Sequence, residues 1–236
     1  MVKNETEDKI ICYTDVKETN KKLKHIRGDG MSKIITISRQ YGSGGRIIGE
    51  KLAKELNIPF YDKELISRAA KESGFTESAF ENAEKKANNS LLYSIAMGMS
   101  AYGNRDLGFT HLSLDDQVFL AQSNVIRQVA KEGPCVIVGR CADYILAEVP
   151  NVIHVYIWAD LEYRKERAVK SYNMPVEKIE ENILKMDKQR ANYYNYHASE
   201  KWGRAENYHL SIRSDYVGID NAVKLIEDYV KFGERG

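Results

Sequence analysis

Cysteine and proline are scarce in this 236-residue chain. The three cysteines, Cys12, Cys135 and Cys141, include no Cys-x-x-Cys pair, and an odd number leaves no disulfide framework. A reducing compartment is the natural reading. Four prolines and 16 glycines are too few for a fibrous or disordered chain. An excess of one charge is missing as well. Lys and Arg total 35 against 34 Asp and Glu, a net charge of +1, which argues against a general polyanion binder but leaves room for a local basic pocket. No apolar run approaches the ~20 residues of a membrane helix, and no signal-peptide pattern opens the sequence. Secreted, zinc-finger and membrane-spanning classes are thereby disfavoured. The expectation is a cytoplasmic protein with no nucleic-acid or membrane partner.

What is present is an ordinary globular mixture, 43% apolar and 29% charged. Residues 1–30 stand apart, with 7 Lys/Arg and 6 Asp/Glu, and read as a flexible N-terminal extension. Acidic residues interrupt its basic run, against a nucleic-acid arm. From Lys33 short apolar runs alternate with helical periodicity. Strands are expected at 34–37, 58–61, 135–138, 152–158 and 208–213. Helices are expected at 46–56, 63–73, 76–87, 89–100, 114–131, 160–170, from Pro175 to about 196, and 220–231. Pro134 and Pro150 fall between elements, Pro175 opens a helix, and Pro59 stands at the start of a short strand. Strands separated by helices imply right-handed crossovers and a parallel sheet covered on both faces, so 31–236 reads as one α/β domain. Leu91, Leu92, Ile95, Met97 and Met99 suit a core face, a flap or a homodimer seam, and nothing local decides among these.

The strongest local signal follows the first strand. Ser38-Arg39-Gln40-Tyr41-Gly42-Ser43-Gly44-Gly45-Arg46 places three glycines and two arginines between a strand and a helix. There backbone N–H groups and the helix dipole favour an anion, and a guanidinium offers a fork that matches phosphate oxygens.

The run from Ile34 to Arg46, followed by Ile58-Pro59-Phe60-Tyr61-Asp62-Lys63-Glu64-Leu65, resembles the cytidylate kinase-like family. The resemblance continues through Val138-Gly139-Arg140, Arg164 and Arg167, and Asp187-Lys188-Gln189-Arg190, covering about residues 31–232. It implies a three-layer P-loop NTPase-type fold: a five-stranded parallel sheet with helices on both faces, a helical lid and an acceptor-binding insert. It also implies ATP-dependent phosphoryl transfer to a nucleoside monophosphate, CMP or dCMP first, with ATP and Mg2+ as cofactors and nucleotides as partners. On this resemblance Arg39, Gly42, Ser43, Gly44, Gly45 and Arg46 would hold the ATP phosphates. Asp62, Arg68, Arg140 and Arg167 would bind the acceptor. Arg46, Asp187, Lys188 and Arg190 would serve the transfer itself, which needs converging cations rather than a nucleophile triad.

The chain departs from that pattern in two places. Against GxxxxGK[ST], Arg39 stands for the first glycine, Gly45 for the lysine and Arg46 for the hydroxyl residue, and Val138 stands where an acidic residue precedes Gly-Arg. Three readings follow. Arg46 or Arg39 replaces the lysine, with Mg2+ held by Ser43, Asp62 and water; or the chain binds nucleotides with little or no turnover; or the acceptor is another small molecule. Tyr193, Tyr194 and Tyr196 suit base stacking and helix packing equally. Asp187 suits orienting Arg190 or accepting from the acceptor. Arg164 reads as one cation on a charged helix, His154 as a satisfied core residue, and Cys135 and Cys141 as small buried side chains.

Overall fold

The computed structural model describes residues 33–62, Arg68, Glu72 and residues 114–232. The expected extension at 1–30, the helices at 63–73 (Arg68 and Glu72 apart), 76–87 and 89–100, and the apolar face at 91–99 lie outside the described residues.

The sheet has five strands: β1 (Ile34–Arg39), β2 (Phe60–Tyr61), β3 (Val136–Val138), β4 (Val152–Trp158) and β5 (Leu210–Arg213). Their order is β2-β3-β1-β4-β5, and every pairing is parallel. Burial on both faces explains why β1, β3 and β4 read as near-continuous β-branched and apolar runs rather than alternating ones. The chain leaves β1 for an edge strand and returns through β3 to its flank. The carboxyl ends of β1, β3 and β4 therefore lie side by side, and the loops that follow them face one region.

Helix α1 (Gly45–Glu55) turns Ile48, Leu52 and Ala53 inward, the spacing of one helical face, and stops at Leu56 before Asn57 enters the left-handed region at φ 51°. It packs beside the C-terminal helix on one face of the sheet. The other face carries α2 (Leu114–Glu132), the one-turn α3 (Ala142–Ile145) and part of α5 (Ile179–His197). There Val125, Ile126, Val129, Tyr193 and Tyr194 join Ile34 and Ile137 in the larger core cluster. Between β4 and α5, α4 (Leu161–Tyr172) starts where the Asp160 carboxylate accepts the Glu162 N–H at 3.0 Å. Three boundaries differ from the periodicity. Helix α5 begins at Ile179 rather than near Pro175, after Lys178 at φ 56°. Short turns form at α3 and at 205–207. A further one-turn helix, α6 (Ser214–Val217), precedes Gly218 and the final helix α7 (Ile219–Phe232). Among the described residues, no helix is long and apolar enough to cross a membrane.

Several buried polar groups are satisfied internally. His154 in β4 pairs Nδ1 with Thr36 Oγ1 at 2.8 Å, and its N–H donates to His209 Nδ1 at 2.9 Å. It is the core histidine the sequence suggests. Cys135 and Cys141 are buried, and burial raises the Cys135 thiol to about 12.

Buried titratable groups give the fold a sloped acid limb. Burial pushes His154 down to about 4, with His209 adding to the effect. It does the same to His197, stacked on Phe119 at 3.9 Å, although Asp116 opposes it. The unfolded chain then takes these protons first, and stability is lost as pH falls from 6.5 towards 4. Asp143 works the other way. Burial raises it to about 6, against a hydrogen bond from Tyr194, so the folded state gains its proton first in the same window. We expect the melting temperature to fall between pH 7 and 4.5, and more steeply in Asp143→Asn. An equal or shallower slope in that variant, followed by circular dichroism, would remove Asp143 from the account.

Candidate phosphate-binding site

The Gly-rich turn joins β1 to α1, and its shape is dictated by what holds it. Gly42 and Gly44 sit at φ 80° and 82°, where a side chain is strained. At Gly42 a Cβ would also lie 2.8 Å from the Arg164 carbonyl oxygen. The Gln40 N–H donates to the Ile157 carbonyl at 3.0 Å, and its side-chain oxygen accepts the Ala159 N–H at 3.1 Å. Ser214 at the end of β5 donates through Oγ to the Ser43 carbonyl at 2.6 Å. Exits of β1, β4 and β5 thus clamp one turn. The first N–H groups of α1, which have no intrahelical acceptor, open from it.

Helix α5 is attached to the same turn. Asp187 on α5 accepts the Tyr41 N–H through Oδ1 at 2.6 Å and pairs through Oδ2 with Arg164 Nη1. Arg164 is buried and also donates to the Tyr41 carbonyl at 3.3 Å. One turn further along α5, Arg190 donates to the Arg39 carbonyl at 3.0 Å, and its guanidinium lies 5.3 Å from the Tyr41 ring centroid. The sequence suggested neither of these two partners of Asp187. Asp187 fixes the turn to α4. Arg164, read from sequence as a helix-surface cation, is instead a buried anchor.

Arg140 reaches the region by an unusual route. Gly139, Arg140 and Cys141 are consecutive left-handed residues, with φ 77°, 62° and 53°, a costly conformation for the latter two. Burial lowers the proton affinity of Arg140, with Tyr193 opposing and Arg39 adding to the effect. Arg39 is lowered by burial, against Asp62 and with a contribution from Arg46. Arg190 is lowered by burial and by Arg39, against Asp187. A guanidinium stays protonated. Burial is the first cause of all three shifts, and the smaller mutual lowering places Arg39 within electrostatic reach of both Arg140 and Arg190.

Other site residues stand elsewhere. Arg46 turns towards β2, donating from Nε to Asp62 Oδ2 and from Nη1 to Glu50 Oε2, each at 2.9 Å, and lies 5.6 Å from the Phe60 ring centroid. Arg167 lies against the Gly-rich turn, its guanidinium carbon 3.3 Å from where a Cβ on Gly44 would stand. Arg68 is also displaced, because Glu132 captures it through Nη2 at 2.6 Å and Nη1 at 3.2 Å, with Glu72 on Nε at 3.0 Å. Glu132 ends α2 just before β3 begins, at the end of the sheet away from the turn. Lys188 is exposed on α5. Tyr193 is core, donating its hydroxyl to Gln122 Oε1 at 2.9 Å, and Tyr194 is buried beside Asp143, whereas Tyr196 is exposed. Packing, not base stacking, accounts for the first two.

The ligand set expected for Mg2+ does not fit. Ser43 is fully buried and donates its hydroxyl to the Gln40 carbonyl at 2.9 Å. Asp62 is engaged by Arg46 and lies 4.0 Å from Arg39 Nη2. Val138 offers no donor atom, and among the described residues no group of three or more His, Cys, Asp or Glu gathers to hold a metal.

The sequence model of the cytidylate kinase-like family matches residues 34–216. Among solved structures, an uncharacterized protein from Eubacterium ventriosum ATCC 27560 is 29% identical, with a TM-score of 0.62 over 84% of this chain and 98% of that one. A shikimate kinase from Bacteroides thetaiotaomicron is 13% identical, with a TM-score of 0.47 over 85% of this chain and 99% of that one. A gluconokinase from Sinorhizobium meliloti 1021 is 12% identical, with a TM-score of 0.41 over 86% and 98%. No curated protein matches the chain.

The anchoring role of Asp187 is directly measurable. Asp187→Ala leaves the Arg164 guanidinium buried without its carboxylate and should cost about 3–5 kcal/mol in urea unfolding. Asp187→Asn keeps an acceptor for the Tyr41 N–H and should lose less. Equal unfolding midpoints for wild type and Asp187→Ala would show that the pair does not hold the turn.

Proposed function

The chain belongs to the cytidylate kinase-like family, and from that premise we propose that it transfers the terminal phosphoryl group of ATP to a nucleoside monophosphate, with CMP or dCMP preferred. The observation that carries the reading is the gathering of Arg39, Arg140 and Arg190 beside a clamped Gly-rich turn at the strand ends. Guanidinium groups gathered beside backbone N–H donors suit a phosphate chain. Beside Gln40 of that turn, a cavity of about 350 Å3 has Tyr156 and Trp158 in its walls.

In this reading the N–H groups of the turn and of the first turn of α1 receive the donor phosphates. Arg140 meets the acceptor phosphate from the end of β3. An acceptor phosphate oxygen attacks the terminal phosphorus in line, the bond to the bridging oxygen breaks, and ADP leaves with that electron pair. Arg190, held by the Arg39 carbonyl and the Tyr41 ring, faces the charge developing on the transferring group. In this reading guanidinium groups supply that stabilisation; among the described residues no side-chain cluster gathers to hold a metal. The CMP preference rests on the resemblance around Ile58–Leu65.

A second reading has a specific observation behind it. Arg46 stands where the hydroxyl of a P-loop stands and is tied to Asp62 and Glu50, an arrangement that suits nucleotide binding without turnover. A coupled assay with ATP and CMP, dCMP, UMP, AMP or GMP separates the two. Turnover should be greatest with CMP or dCMP, and ATP binding with no turnover on any acceptor would favour the regulatory reading. In the active case, Arg140→Ala should raise the acceptor KM by roughly ten- to a hundredfold, the loss of one charge-assisted contact, while the ATP KM changes little. An effect confined to ATP would contradict the assignment of Arg140.

A further inference from the structure

We infer that Arg39 supplies the phosphate-binding cation that a P-loop lysine supplies, delivered from the strand side of the turn instead of the helix side. The inference rests on the Gly-rich turn being a phosphate site, as proposed above, and specifies which residue carries its charge.

The first argument is steric. A Cβ on Gly45 would lie 2.6 Å from Arg39 Cβ and 3.0 Å from Arg39 Cγ. The stem of Arg39 therefore occupies the space that a side chain at 45 needs. A lysine at 45 and an arginine at 39 exclude each other, so the two departures from the P-loop pattern are one exchange.

The second argument is the path of the side chain. Its stem crosses the first residue of α1, and its far end reaches the exit of β3, where a Cβ on Gly139 would overlap Nη1 and lie 3.0 Å from Cζ. Glycines at 45 and 139 thus leave a track for one extended arginine, from the mouth of the turn to the residue beside Arg140. A guanidinium placed there presents a planar fork to whatever the turn binds.

The third argument is electrostatic economy. Among the described residues the one ion pair of the Arg39 side chain is long, 4.0 Å from Nη2 to Asp62 Oδ1, while Arg46 holds the same carboxylate at 2.9 Å. Asp62 is thus primarily the partner of Arg46, which points towards β2 and away from the turn. Arg39 also accepts Arg190 at its carbonyl. Its backbone places one cation of the site and its side chain furnishes another.

Calorimetric titration of the full chain with inorganic tripolyphosphate, and separately with ATP, tests the exchange. Arg39→Met keeps the stem and removes the guanidinium; tripolyphosphate binding should weaken roughly ten- to a hundredfold. Gly45→Lys alone should melt at a lower temperature, because the new Cβ meets the Arg39 stem. The double variant Arg39→Gly with Gly45→Lys removes that overlap and returns the charge, and it should bind tripolyphosphate within about fivefold of wild type. Unchanged binding in a folded Arg39→Met would overturn the inference, as would a double variant that melts like wild type yet binds no better than Arg39→Met. Absence of tripolyphosphate binding by wild type overturns it too. Arg39-dependent binding without turnover on any nucleotide would remove the kinase reading and leave this inference standing. Turnover with Arg39-independent binding does the reverse.

Discussion

The carboxylate of Asp187 bonds two things that lie far from it in sequence: the amide of Tyr41 inside the Gly-rich turn and the guanidinium of Arg164 on α4. A partly buried carboxylate with a backbone donor on one oxygen and an arginine on the other leaves little freedom to any of the three segments. Arg190, one turn along the same helix, inherits its position from that bond, since it can reach the Arg39 carbonyl only while α5 lies against the turn. The packing of Gly42 against the Arg164 backbone depends on the same closure. Helices α4 and α5 are in this way built into the turn they contact.

Around this fixture the charges are sorted. The chain as a whole is nearly neutral, but its arginines are unevenly satisfied. Those on outer surfaces, such as Arg204 and Arg213, pair with carboxylates close by in sequence, contacts worth little in water. At the strand ends Arg39, Arg140 and Arg190 instead lower one another or are lowered by burial, with Asp62 and Asp187 already engaged elsewhere. Positive charge held by packing and desolvated in advance is more effective towards a phosphate than the same charge on a mobile surface.

Much of the fold was legible because its signals are local. β-branched runs, helical spacing after Arg46 and the glycine cluster between them each need only a dozen residues to be seen. The individual arginines were harder, because their partners are remote. Arg164 looks like any cation on a charged helix until Asp187, 23 residues further on, draws it inward. Arg68 was assigned to the acceptor by resemblance, yet Glu132, 64 residues away, holds it at the other end of the sheet. Tyr193 and Tyr194 were ambiguous for the opposite reason: adjacent residues on a helix point in different directions, and only the position of α2 shows that both are inside. The choice between Arg39 and Arg46 could not be made from spacing, since it turns on which stem lies across Gly45.

The three left-handed residues after β3 bear on how this molecule balances durability against purpose. Two of them carry side chains that disfavour the conformation, at a cost of order 1–3 kcal/mol each, in a protein whose whole margin is expected to be about 5–15 kcal/mol. A chain optimised only to stay folded would place glycine at 140. Arginine there keeps the backbone in a tense state so that a long cationic side chain leaves the sheet at one angle. The least relaxed stretch of the described backbone is therefore also the stretch that aims charge, and gains in robustness made at that bend would come out of its aim.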